Sequence, residues 1–141
     1  MEGLSLNEIQ DGAKRWVLEA DRARYLQDRR EIEVTGIRLE FYGEGGRVIR
    51  LNCREGRVDT ATRSLTLAGE VEVSDGDLTV TTGLIRYLPQ ERLLLAPEEV
   101  TLTTPRLRVT GRDLSIFVAH RRLVLKEHRV TEVRDMEGWR L

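Results

Sequence analysis

Few side chains in this 141-residue chain could do covalent chemistry. Its one cysteine, Cys53, cannot close an internal disulfide and reads as a small buried residue. His120 and His128, eight positions apart, fall outside the spacings that hold zinc and read as surface residues. No Ser-His-Asp or Gly-x-Ser-x-Gly arrangement supplies an activated nucleophile. Asp75-Gly76-Asp77 resembles a fragment of a calcium loop, but the remaining ligand positions are missing and a hairpin turn fits it better. A carbohydrate-active β-solenoid would need a line of exposed acids and aromatics. The two Trp, three Tyr and two Phe are scattered and form none. Arg29-Arg30 and Arg121-Arg122 read as solvated charges, with contact to lipid phosphates as the sharper alternative.

The chemistry that remains is non-covalent. Leu65, Leu67, Val71, Val73, Leu78, Val80, Ile85, Tyr87, Leu93, Leu95, Val100, Leu102, Leu107, Val109, Leu114, Ile116, Leu123 and Leu125 recur on one phase of a period-two alternation. Mostly mid-sized and without polar atoms, they suit a dry core or a trough that takes alkyl chains without asking for hydrogen bonds. Any sandwich needs such a stripe, so the residues alone leave both readings open.

The elements that must position this stripe are short strands. Val71-Glu72-Val73, Leu78-Thr79-Val80 and Leu107-Arg108-Val109 alternate apolar with polar, and turn residues punctuate them at Ala68-Gly69, Thr82-Gly83, Pro89-Gln90, Ala96-Pro97, Pro105 and Thr110-Gly111. Only Ala20 to Arg30 has helix-forming composition, and it fits a strand equally well, with Ala23 and Tyr25 on one face. Gly56, Gly83 and Gly111 are 27 and 28 positions apart, and each opens the same layout of paired strands. An earlier, degenerate copy runs through Tyr25, Ile32, Val34, Ile37 and Leu39. Such units must align their stripes into one interior, with open edges at the two ends.

Composition narrows the classes. Charged residues are 33% and hydrophobic ones 40%, with 23 Lys and Arg against 24 Asp and Glu, which describes a folded single domain with no basic field for nucleic acid. The apolar runs Leu93–Ala96 and Ile116–Ala119 are far short of a bilayer span. Met1-Glu2-Gly3 lacks the regions of a signal peptide, leaving a cytosolic protein or a fragment of a longer precursor.

The stretch from Gly12 through Lys14-Arg15-Trp16-Val17-Leu18-Glu19-Ala20-Asp21-Arg22-Ala23-Arg24-Tyr25 resembles the start of the periplasmic domain of the LptC lipopolysaccharide-export family. Leu65-Thr66-Leu67-Ala68-Gly69-Glu70-Val71-Glu72-Val73 is similar to an element that LptC shares with its soluble relative LptA. Leu93–Leu102 echoes it with Pro97 in place of the glycine, and Leu107–Gly111 matches the late leucine and glycine positions. The resemblance runs from about Gly12 to Val133. It implies an all-β fold, an antiparallel open β-jelly roll of two facing sheets over residues 12–134. A flexible segment would occupy 1–11, just beyond an absent N-terminal transmembrane anchor, and a tail 135–141.

It also implies a transport role on the periplasmic side of the inner membrane, with no catalytic group, cofactor or metal. The apolar stripe would line a groove that accepts lipopolysaccharide from the ABC transporter LptBFG and passes it to LptA. Leu123, Val124, Leu125 and Val130 would form the LptA-facing edge, and Trp16, Val17 and Leu18 the transporter-facing one. Trp16 itself reads as a core or rim anchor. The exposed edges would also allow copies to pair edge to edge. An LptA-like soluble bridge is the alternative; the Trp16 entry favours LptC.

Overall fold

Alternation of aliphatic with polar residues makes a strand with one apolar face, and it does so over most of this chain. The computed structural model describes residues 2–120 and 122–133. Its strands are β1 (Glu2–Gln10), β2 (Ala13–Leu26), β3 (Glu31–Tyr42), β4 (Val48–Asp59), β5 (Leu65–Asp75), β6 (Leu78–Leu88), β7 (Leu93–Thr103), β8 (Leu107–Phe117) and β9 (Arg122–Val133). A short 3-10 turn at Glu44–Gly46 joins β3 to β4. All neighbours pair antiparallel in the order of the chain, so β1 and β9 are the two edges.

The two facing sheets expected from the resemblance are therefore one continuous nine-stranded sheet. Every connection is a tight hairpin, and no long crossover is available to carry the chain from one sheet to another. Segment 2–10, expected as a flexible lead-in, is strand β1: Asp11 and Gly12, both at positive φ, turn it back so that Leu4 and Leu6 pair with Ala20 and Leu18. The tail 135–141 and Arg121 lie outside the described residues.

The strands are longer than the punctuation suggested. Ala68-Gly69, Thr82-Gly83, Ala96-Pro97 and Thr110-Gly111 do not turn the chain. They sit inside β5 to β8, at register shifts between Ala68 and Val71, Thr82 and Arg86, Ala96 and Glu99, and Thr110 and Gly111. A further shift lies between Asn52 and Glu55 in β4. Bulges bend a strand and increase its twist, and a row of them crossing the sheet curls the whole sheet in one place. The 27- and 28-residue repeat is thus a pair of kinked strands with their turns.

Curling brings distant strands face to face. The Phe41 and Tyr87 rings, on β3 and β6, lie 4.8 Å apart between centroids and tilted by 55°. The Arg92 Nη2 donates to the Tyr42 carbonyl at 2.6 Å, and the Val118 N–H to the Arg92 carbonyl at 3.1 Å. One apolar interior results, shared by Leu18, Ile37, Leu39, Phe41 and Leu51 of the first strands and Leu65, Ile85, Tyr87, Leu94 and Leu114 of the later ones. All ten are at most 2% exposed, which locks each into the bent sheet.

Candidate functional site

Calling the turns after β2, β4, β6 and β8 the lower end, the contacts above join the upper end of β2–β4 to the lower end of β6–β9. The two halves of the sheet cross. At their crossing Trp16 donates from Nε1 to Glu8 Oε2 at 2.5 Å, fixing the edge strand β1 to β2. Burial raises the Tyr87 hydroxyl above its ordinary value, so it stays protonated beside Arg92. The backbone of Gly43 fits under the Val118 carbonyl, where a Cβ would come within 3.0 Å. This corner is closed.

The other two ends are more exposed. At the lower end of β2 and β3, Tyr25 points to the interior side with Ile32 as its cross-strand partner, yet is 56% exposed. At the upper end of β7 to β9, Leu102, Val109, Leu107 and Val133 continue the inward phase. Leu107 and Val133 there are 39% and 40% exposed. The inward apolar phase is thus sealed in the middle and surfaces at two ends, the two mouths that a cleft between the halves would have. Between the halves, Ile49, Val73, Leu78, Val80, Ile116 and Leu123 line a partly open space of about 10 Å³, room for no more than one water. Asp75 stands at its rim, and desolvation raises its carboxyl above the ordinary carboxylate range, opposed by Arg47.

Most of the residues assigned from sequence to the groove fall on this interior. Leu65, Leu67, Val71, Val73, Val80, Ile85, Tyr87, Val100, Leu114 and Ile116 are buried, while Leu78, Leu102 and Val109 are half-buried. Leu93 and Leu95 are a correction. They lie on the outer face, and Leu94 and Ala96 point inward, with Leu94 paired to Tyr87 and Ile116. A run of three leucines carries no phase of its own, so its register comes from the neighbours. The interior also takes wall from β2 to β4, through Leu18, Ala20, Ala23, Val34, Ile37 and Leu51, none of them in the groove expected from sequence. Their signal was present in the degenerate first repeat.

The edges divide similarly. β9 is an edge strand, with Leu123 and Leu125 turned inward and Val130 exposed. Trp16, Val17 and Leu18 are not at an edge: β1 lies outside them, and Trp16 and Leu18 are buried. On the outer face, a cavity of about 430 Å³ is walled by charged and hydroxyl side chains, among them Glu31, Glu55, Arg57, Ser64 and Arg86. Its polarity separates it from the apolar interior.

A family model described as "Lipopolysaccharide-assembly, LptC-related" matches residues 1–133, from β1 to the end of β9. The chain belongs to the LptC family. No curated protein matches it. LptC membership carries a role in lipopolysaccharide transport on the periplasmic side of the inner membrane, in association with the lipopolysaccharide-transport complex. Among the described residues no helix is long and apolar enough to cross a membrane. The matched range includes β1.

Proposed function

We propose that the interior face of this curled sheet shelters the acyl chains of lipopolysaccharide, receiving them from the LptBFG transporter and releasing them to LptA. Each CH₂ withdrawn from water is worth about 0.8 kcal/mol, so an unsheltered chain of a dozen carbons costs roughly 10 kcal/mol in solvent. The observation that carries the reading is the inward apolar phase that surfaces at both mouths, at Tyr25 and Ile32 on one side and at Leu107, Val109 and Val133 on the other. Since the core side chains of the middle are at most 2% exposed, loading separates the two halves, and the bulges are the place where the sheet bends to allow it. Sugars and phosphates stay in solvent, and the step needs no catalytic group.

Release to LptA takes place along β9, whose outer row of N–H and C=O groups is free to accept another strand. The transporter side falls to β1, the strand that covers Trp16, Val17 and Leu18. A photocrosslinking residue at Leu107 or Val109 is expected to capture lipopolysaccharide in cells, and one at the outward Thr101 is not. Equal capture at all three, or none, overturns the cleft. In β9, Val124 and Leu125 are adjacent, so one N–H points to β8 and the other outward. Of V124P and L125P, one therefore weakens LptA binding in a calorimetric titration while the domain stays folded. Unchanged affinity in both refutes the β9 route.

A further inference from the structure

Three successive lower turns carry an arginine where the backbone is left-handed. Arg30, Arg63 and Arg92 have φ of 53°, 65° and 49°, a region that glycine and asparagine enter at less cost than a long side chain. Arg92 is accounted for by its bond to the Tyr42 carbonyl in the closed corner. Arg30 and Arg63 are exposed, as is Arg29 beside Arg30, and no carboxylate pairs with any of the three among the described residues. Most of the acids nearby are engaged with other groups, although Glu33 also attracts Arg29 and the Glu31 Oε2 has no hydrogen-bond partner. Glu33 holds Arg24 at 2.6 Å, Glu31 faces Arg57 at 4.0 Å, and the Asp59 carboxylate accepts the N–H groups of Thr62 and Ala61. Asp28 is an exposed acid within the β2–β3 turn itself.

The two turns are also tied together. Thr60 donates to the Arg30 carbonyl from its N–H at 3.0 Å and from its hydroxyl at 2.9 Å, which holds the 60–64 turn against the β2–β3 turn. Three exposed arginines without a close ion pair therefore sit at one end of the sheet, next to the end where Tyr25 is exposed. An apolar opening with a cationic rim is complementary to an amphiphile that has acyl chains and an anionic headgroup.

We infer that Arg29, Arg30 and Arg63 bind the phosphate groups of the lipopolysaccharide headgroup while the acyl chains lie in the cleft, making the Tyr25 mouth the one that holds the phosphorylated end. This rests on the cleft reading above and adds a headgroup subsite to it. Two of the three, Arg30 and Arg63, hold left-handed backbone, a local cost that a role at that rim would offset.

The test is binding of purified lipid A, with and without its phosphates, to the wild-type domain and to R29Q/R30N/R63N. Asparagine is better tolerated than arginine at positive φ, so the variant keeps its fold, and a thermal melt verifies this. Wild type is expected to prefer the phosphorylated lipid by about tenfold or more, the size of a charge-assisted hydrogen bond. The variant should bind both forms equally and match the wild type on the dephosphorylated one. R29K/R30K/R63K should restore the preference. Equal binding of the two lipids by the wild type, or a preference that survives in R29Q/R30N/R63N, overturns the subsite while leaving the cleft intact. Failure of the wild type to bind either lipid overturns the cleft reading itself. A third arm uses phosphatidylglycerol vesicles free of lipopolysaccharide. Arginine-dependent binding there, as tight as to lipid A, would mean that the rim reads a membrane surface and would refute the headgroup assignment.

Discussion

Alanine at Gly56, Gly83 and Gly111 should separate three positions that the repeat treats as equivalent. None of the three has positive φ, so the effect is one of space. A Cβ on Gly83 meets only Glu98 Oε1, at 3.5 Å, an ordinary contact with the end of a flexible side chain. G83A should therefore stabilise by about 0.5 kcal/mol, by lowering the entropy of the unfolded chain. On Gly56 it would lie 2.8 Å from Ile37 Cδ1 and 2.9 Å from the Thr66 carbonyl oxygen, between β3 and β5. The Ile37 methyl can turn away but the β5 backbone cannot, and a cost of about 1–2 kcal/mol follows. On Gly111 the Cβ would be 2.2 Å from the Glu127 carbonyl oxygen and 2.8 Å from Leu125 Cδ2. To reach ordinary contact, β9 must retreat by roughly 1 Å, which costs about 2–3 kcal/mol or detaches that part of the edge strand. At about 4 °C per kcal/mol, the melting temperatures should rank G83A above wild type, then G56A, then G111A. Hydrogen exchange in G111A should accelerate in β9 and not in β3. If G83A costs as much as G111A, or G111A melts like the wild type, the argument from close approach is wrong.

Two titrations test the local electrostatics. Burial pushes the Cys53 thiol up to about 11, so a thiol reagent at mildly alkaline pH should label the native protein at least about 100-fold more slowly than the urea-unfolded chain; comparable rates would place Cys53 outside the core. Asp59 is held below the ordinary carboxylate range by the N–H groups of Thr62 and Ala61, at 3.0 and 2.9 Å. The native state thus takes up this proton less readily than the unfolded chain. Its stabilising effect is complete above the unfolded carboxylate pKa and is lost as pH falls through the lower folded value. D59N should lower the urea midpoint near neutral pH, with the gap to wild type closing in acid. A gap that persists there would show that the carboxylate charge is not what the turn uses.

Much of the interior was legible in the alternation, because an inward side chain on a strand has to be apolar wherever the sheet is covered. Leu65, Leu67, Val71, Val73, Ile85 and Leu114 fell where the pattern put them. Leu93 and Leu95 did not, since three leucines in a row fit either phase and only pairing with Tyr87 and Ile116 selects Leu94. Glycine and proline at mid-strand were read as turns because the same residues end strands and bulge them; which they do depends on whether the partner strand continues past them. β1 was missed for a related reason. Leu4 and Leu6 alternate only weakly, and the strand exists because Ala20 and Leu18 are there to pair with it.

The sequence by itself determined the strand content, the repeat, the apolar stripe and the LptC kinship, all of which depend on residue type and spacing along the chain. Only the tertiary structure decided that the strands form one sheet, that a row of bulges curls it until Phe41 meets Tyr87, and that the stripe is sealed in the middle and open at two ends. It also decided that Arg92 closes a corner while Arg30 and Arg63, in equivalent turns, remain in solvent. The physical reason is that period two fixes which face a side chain takes, whereas exposure depends on what lies across from that face, and this is set by strands far away in sequence.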